Sequence, residues 1–339
     1  MQAMNIVEGF YFKLYDDSIF YAKGVSHPKD RVVAFPKYIR SVDGDRTTPN
    51  GVKYTKVGDI INEYRIAMTK YSNYVVYDDY FGRKVVLVPL RDIVEVYSPI
   101  DKAVKIINSD PTKGILADVK DMLNDILNST SARTIGVSGS ILVDLYREDS
   151  DIDIVVLDEN DGRKVYSFLS EVIDKPYSKI RRYSEESVAR LYLTRVAETP
   201  IGFREFVAQE RRRILEGLYG DREYFIRLID RSHTDDIYDV YRCRKLGFST
   251  MMLRVLDAKR SIYTPCRYGV EVLKVLEGVA VDVEEVYSLR GRFNEIAAEG
   301  ETVVARGSIE LLEYRNGGRK YRLYLGDPGD YMYLAEWVR

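Results

Sequence analysis

The stretch GVSGSILVDLYREDSDIDIVVL, residues 136–157, sets a Gly-Ser pair ahead of two aspartates that alternate with isoleucines at the head of an apolar run. In an extended strand, residues i and i+2 project to one face. Asp151 and Asp153 therefore present their carboxylates side by side, while Ile152, Ile154 and Val156 point the other way. Adjacent carboxylates repel each other, and a divalent cation relieves that repulsion. Hard oxygen ligands of this kind favour Mg²⁺ or Mn²⁺, which also take ligands from water and substrate phosphates. Upstream, Gly139 lets the backbone approach a phosphate closely, and Ser140 supplies a hydroxyl and an N–H where a short helix, residues 141–146, is expected to begin. Anion and cation binding thus fall on one small unit.

Periodicity frames this unit. Before it, Leu116, Val119, Met122, Leu123, Ile126 and Leu127 follow helical spacing. After it, Val165, Phe168, Leu169, Val172 and Ile173 do the same. The expected order is helix, short strand, Gly-Ser turn, short helix, strand, helix. Residues 185–218 read as further helices, with Arg211, Arg212 and Arg213 inside the last and paired there with Glu205, Glu210 and Glu216.

Residues 9–97 carry short β-type runs (FYFKLY, IFYAKGV, RVVAFPKYI, YVVYDDY, KVVLVPL, IVEVY) broken by turn residues and by one helix at 57–71. The β-type runs resume at YFIRLI, and from about Asp235 onward they continue from MMLRVL to YMYLAEW, which predicts a small β-barrel or sandwich there. The fold class expected is α+β and multidomain: an N-terminal α+β domain over 1–100, a central mixed sheet with helices over 101–232, and a C-terminal β-rich domain over 233–339.

The 339 residues are 45% hydrophobic and 31% charged, and no apolar run approaches the roughly eighteen residues of a membrane span. No basic segment followed by an apolar one opens the sequence, so a cytoplasmic location without membrane partners is expected. The two cysteines, Cys243 and Cys266, lie far from each other and from His27 and His233, so a zinc site is not assembled locally. A net charge of -2 gives the whole chain no electrostatic footprint for nucleic acid and leaves only a local patch to serve that purpose. Lys179, Arg181 and Arg182 read as a solvated basic stretch. YSLRGRF, residues 287–293, reads as core aromatics with exposed arginines.

VSGS and SDIDIVV together resemble the signature of the DNA polymerase β-like nucleotidyltransferase superfamily. KGVSHPKDRVVAFPKYI, GVSGSILVDL, YTPCRYGVEV and RGRFNEIAAEGETVVARGSIE resemble a group of uncharacterised archaeal predicted nucleotidyltransferases. The resemblance implies that Asp151 and Asp153 hold two Mg²⁺ (or Mn²⁺) ions and that Gly139 and Ser140 hold the triphosphate of an incoming NTP such as ATP. The implied reaction attaches a nucleoside monophosphate to an acceptor hydroxyl and releases pyrophosphate. Two metals about 3.5–4 Å apart polarise the attacking oxygen and neutralise the leaving group in such a site. The superfamily adds a third carboxylate from a later strand. Asp230, at the end of YFIRLID, is the best strand-borne candidate, ahead of Asp174, Glu223 and Asp235.

The expected acceptor is an RNA or DNA end, because two flanking domains could grip an extended substrate. Protein and small-molecule acceptors fit the same motif. The competing class is a non-catalytic nucleic-acid-binding protein on a degenerate transferase fold. A third-strand carboxylate within metal reach of Asp151 and Asp153 favours the enzyme, and an apolar residue there favours the binding protein.

Overall fold

The computed structural model describes residues 6–335. The first five residues and the Glu336-Trp337 end of the YMYLAEW run lie outside the described residues. Seven α-helices and three sheets make a mixed α/β protein among the described residues, and no helix is long and apolar enough to cross a membrane. Two compact units divide the chain. One holds the residues up to Tyr77, Lys84–Ile180 and Leu218–Asp236, and the other holds Asp78–Arg83, Arg181–Gly217 and the chain from Ile237.

In the first unit come β1 (Tyr11–Leu14), β2 (Ile19–Ala22), β3 (Arg31–Arg40), β4 (Arg46–Thr47), β5 (Lys53–Lys56), α1 (Ile60–Lys70), β6 (Val75–Asp78), β7 (Arg83–Pro89) and β8 (Ile93–Tyr97). They form an eight-stranded sheet of order β4-β5-β3-β2-β1-β8, with β7 on the early part of β3 and β6 on β7. β3 holds the sheet together because its ten residues suffice for three neighbours. Pro36 in β3 lacks an N–H, and it sits where the register to β2 slips, Phe20 facing Pro36 and Ile19 facing Tyr38. Lys37 is therefore the extra residue of a bulge, a device that re-aims neighbouring side chains. α1 starts where the Asp59 carboxylate accepts from Asn62 N–H at 2.8 Å, three residues later than the apolar spacing predicts. Its Ala67 packs with Phe12, Phe20, Ala34, Val86 and Val88.

The chain continues through α2 (Pro99–Asn108), α3 (Ile115–Thr130), β9 (Ile135–Val137), α4 (Gly139–Leu142), β10 (Ile152–Val156), α5 (Glu159–Val172) and β11 (Ile180–Arg181). After α6 (Glu185–Arg195) and α7 (Phe203–Glu210), which belong to the second unit, come β12 (Glu216–Tyr219) and β13 (Arg222–Ile229). Four of these strands lie in the order β12-β13-β10-β9. β10 runs parallel to β13, with Asp153 opposite Phe225, and antiparallel to β9, with Ile154 opposite Val137. The expected helical stripes face inward: Val119, Met122, Leu123 and Ile126 of α3 and Val165 and Leu169 of α5 are buried. The Asp158 carboxylate starts α5 by accepting from the N–H groups of Asn160 and Asp161.

The second unit adds β14 (Tyr241–Asp257), β15 (Tyr263–Thr264), β16 (Cys266–Gly278), β17 (Glu285–Ser288), β18 (Thr302–Tyr314), β19 (Arg319–Tyr324) and β20 (Tyr331–Leu334). The pairings β14-β16-β17-β19-β18 return to β14 and close a circuit, and β20 hangs on β18. Met251, Leu253, Val255, Tyr268, Ile309 and Leu323 fill the core.

Here the three arginines depart from the helical expectation. α7 ends at Glu210, and each arginine goes its own way: Arg211 to Glu185, Arg212 to both oxygens of Glu301, and Arg213 into the interior at 0% exposure. Arg213 donates to Glu210 at 3.3 Å, to Gly291 C=O at 2.7 Å and to Glu216 at 2.8 Å. Its charge is matched three-dimensionally, not along one helix face, and those partners hold it out of the helical path. Arg290 and Arg292 also depart from expectation, with side chains 12% and 18% exposed and both turned onto Glu198. Burial, then Arg290 and Arg195, push the Arg292 guanidinium down to about 9.

Removing one partner of a buried ion pair strands the others. Arg213→Ala is expected to cost about 3–5 kcal/mol in denaturant unfolding of the full chain. Arg213→Lys should recover only part of that loss, because an ammonium cannot reproduce the planar fork.

Candidate functional site

β9 delivers the chain to Ser138, whose N–H donates to Asp153 C=O at 2.9 Å and whose hydroxyl donates to Gly9 C=O at 2.8 Å. Gly139 follows with φ +61°, a left-handed conformation that side chains disfavour, and a Cβ there would overlap the Asp153 carboxylate. The glycine thus serves two needs at once, the turn and the close approach of the carboxylate. α4 begins at Gly139 and ends at Leu142, shorter and earlier than the expected 141–146.

This turn opens onto a cavity of about 300 Å³. Gly139, Ser140, Asp151 and Asp153 line it, so the structure gathers those sequence-predicted residues in one place. Asp230 is not brought there. It lies five residues beyond Phe225, the partner of Asp153, a separation of about 16 Å along a strand. Its carboxylate is buried and accepts from the N–H and the hydroxyl of Ser232, both at 2.8 Å. Glu223, Asp174 and Asp235 do not line the cavity either. On the strand beside the two aspartates the cavity wall is Phe225 and Arg227. Among the described residues, no third carboxylate, histidine or cysteine gathers with the Asp151 and Asp153 oxygens within 4.8 Å.

The rest of the wall comes from the first sheet and the segment before it: Glu8, Tyr11, Tyr21, Lys23, Lys37, Tyr38 and Lys56. Most of its charge is internally matched. Glu8 pairs with Lys23 at 3.1 Å and Arg227 at 2.8 Å and accepts from Gly24 N–H. Burial alone would raise its carboxyl, but Lys23, Arg227 and that N–H hold it below the usual range. Lys37 pairs with Glu63 at 2.8 Å, and the Tyr21 hydroxyl donates to the same carboxylate at 2.7 Å.

Several groups around the cavity remain unmatched. The buried Ser140 hydroxyl has no hydrogen-bond partner. Among the described residues, neither the Asp151 and Asp153 carboxylates, nor the Tyr11 and Tyr38 hydroxyls, nor the Lys56 ammonium has a hydrogen bond or ion pair. Burial first, and Asp151 second, push the Asp153 carboxyl up to about 7, against the pull of Arg227, Lys56 and Lys37. Surrounding protein atoms, then Lys37, lower the Lys56 ammonium from its usual value. Perturbed groups gathered in one cleft make this cavity the candidate functional site.

Other side chains singled out in the sequence are held by the protein itself. His27 Nδ1 accepts from Val33 N–H, and burial holds the ring down to about 4, so it stays neutral. Burial pushes both cysteine thiols up, Cys243 to about 12. Lys179 lies against Asp121 and the Tyr219 ring, and Arg182 donates to the carbonyls of Arg211 and Arg213. The first-sheet wall escaped sequence reasoning. KGVSHPKDRVVAFPKYI does contain Lys23, Lys37 and Tyr38, but only its pairing reveals a common face.

Two outcomes follow for the site. Gly139→Ala combines an overlap with a left-handed side chain and is expected to lose about 1–3 kcal/mol of stability in thermal or denaturant unfolding. For Asp153, the folded state holds its proton up to about pH 7, whereas an unfolded aspartate releases it near its ordinary value of 3.8. The folded state therefore binds more protons across that window, and stability falls as pH rises through it. Asp153→Asn removes the penalty. In chelator, its melting temperature should match wild type near pH 4 and exceed it by about 3 °C or more at pH 8.

No family model matches the chain. No solved structure matches it. An uncharacterized protein of Methanocaldococcus jannaschii is 27% identical over 335 residues, covering 95% of this chain and 94% of its own, so the similarity reaches into both compact units.

Proposed function

We propose that the cavity is the active site of a metal-dependent nucleotidyltransferase that moves an NMP from an NTP to an acceptor hydroxyl with release of pyrophosphate. In this reading β9, α4, β10 and β13 form a polymerase β-like core, and the circuit of strands in the second unit is a small β-barrel. The observation that carries it is the packing of the Gly139 turn onto Asp153, which sets an orphaned serine hydroxyl beside two unpaired carboxylates.

The donor set suits Mg²⁺ or Mn²⁺. Such ions take one or two carboxylates and complete their shell with water and substrate phosphates, so Asp151 and Asp153 would hold the ion without a third side chain. A bound divalent cation would supply neutralisation of phosphate charge beside the dyad. The protein's own groups do the remainder. The Ser140 hydroxyl and the N–H groups of the turn would donate to phosphate oxygens, and the absent Cβ of Gly139 lets that turn lie directly against the Asp153 carboxylate. In the overall exchange the acceptor hydroxyl releases its proton to water as its oxygen bonds to the α-phosphorus, the bond from that phosphorus to the bridging oxygen breaks, and pyrophosphate leaves. An RNA or DNA end is the acceptor favoured by the reading.

A second reading, a nucleic-acid- or nucleotide-binding protein without catalysis, draws support from Phe225, an apolar residue facing Asp153 on the neighbouring strand. The experiment that separates the two is transfer of label from each α-labelled NTP onto RNA, DNA oligomers and the protein itself. Wild type, Asp151→Asn and Asp153→Asn are compared with Mg²⁺ and with Mn²⁺. Transfer in wild type that drops by about 10²-fold or more in each variant supports the enzyme. Nucleotide binding without transfer supports the second reading.

A further inference from the structure

The cavity has two sides. On one stand the aspartates and the Gly-Ser turn. The other is built by the first sheet and carries hydrogen-bond donors that nothing in the protein accepts. Tyr38 on β3 and Lys56 on β5 are register partners, so their side chains leave the sheet on the same face. Tyr11 on β1 joins them and shares an apolar cluster with Tyr38. The two tyrosines are 8% and 1% exposed, yet their hydroxyls have no hydrogen-bond partner among the described residues. The rings are buried while each hydroxyl oxygen opens onto the cavity with no acceptor among the described residues, so both can donate to a group that enters it.

Charge selects the ligand. Lys23 and Arg227 are held by Glu8, and Lys37 is held by Glu63. Lys56 alone among the cavity's cations has no ion-pair partner among the described residues. Two phenol donors and an ammonium call for an acceptor-only anion with several oxygens on one centre. A phosphoryl group meets that demand, since an ammonium binds it as a point charge while hydroxyls fix its remaining oxygens.

We propose that Lys56, Tyr38 and Tyr11 form a phosphate-binding subsite contributed by the N-terminal sheet, opposite the Gly139-Ser140 turn. This deepens the transferase reading and rests on it for the source of the phosphate. That source is either the NTP chain or a phosphate carried by the acceptor. The subsite makes these three residues positioning groups, outside the motif that carries the resemblance.

The test begins with a probe that has neither base nor acceptor. Calorimetric titration of the full chain with inorganic tripolyphosphate in Mg²⁺ should show binding. It should weaken by about tenfold in Lys56→Ala, by less in Tyr38→Phe and Tyr11→Phe, and recover in Lys56→Arg. The phenylalanine variants keep the ring and hence the packing, so a loss there reports the hydroxyl. In the transfer assay, a raised KM for NTP in Lys56→Ala assigns the phosphate to the nucleotide. A raised KM for a phosphorylated acceptor, with the NTP value unchanged, assigns it to the acceptor. Lys56-dependent tripolyphosphate binding in a protein that transfers no nucleotide keeps the subsite and removes the transferase. Tripolyphosphate binding and both KM values untouched by all three substitutions, or no tripolyphosphate binding by wild type, overturn the subsite.

Discussion

A single close approach organises the first unit: the backbone at Gly139 lies against the carboxylate of Asp153, with the Ser138 N–H tied to the Asp153 carbonyl. Everything near it is arranged to permit that approach. β9 needs only three residues because it must stop there, and Gly136 within it lies hard against Pro99 at the start of α2. β10 is buried along its apolar positions, so its register on β9 and β13 is set by the core. A one-residue slip would turn the aspartates inward. The electrostatic cost of holding Asp153 beside Asp151 is borne by that packing, which is why the pair persists without a counter-charge in contact.

The wall opposite the dyad obeys a different logic. Its acids and bases are neutralised in pairs, Glu8 with Lys23 and Arg227, Glu63 with Lys37, and the cavity keeps its unmatched groups in two opposed sets. The unpaired carboxylates stand on and just before β10 with the Ser140 hydroxyl near them, and donors without protein acceptors stand on β1, β3 and β5. Direct contact between the two sets would cancel them and close the space. The rigid sheets hold them apart.

What could be read from sequence was local. The alternation in SDIDIVV and the Gly-Ser turn depend on dihedral preference and on the two-residue strand period, so Gly139, Ser140, Asp151 and Asp153 were legible without any tertiary information. The stripes of α3 and α5 were legible for the same reason. Asp230 shows the limit. A carboxylate at a strand end looks suitable until parallel pairing sets Phe225, and not Asp230, beside Asp153. Lys56 and Tyr38 are separated by eighteen residues and united only by strand register. In sequence Arg213 reads as one of three arginines paired along a helix, and only the convergence of Glu210, Glu216 and the Gly291 carbonyl distinguishes it.

The cavity's lining runs from Glu8 to Arg227 along the chain. The chain leaves the first unit for residues 181–217 and rejoins it at Leu218, within β12, with β13 following. A ribosome therefore releases the dyad and the lysine-bearing sheet long before it releases the strand that flanks β10. Until Phe225 and Arg227 emerge, β10 has an open edge and Glu8 lacks its second cation. The nascent chain therefore holds an incomplete cavity lining through the synthesis of an intervening helical segment. Long-range closure of this kind is slow compared with local structure, and the last parallel strand to arrive completes the site.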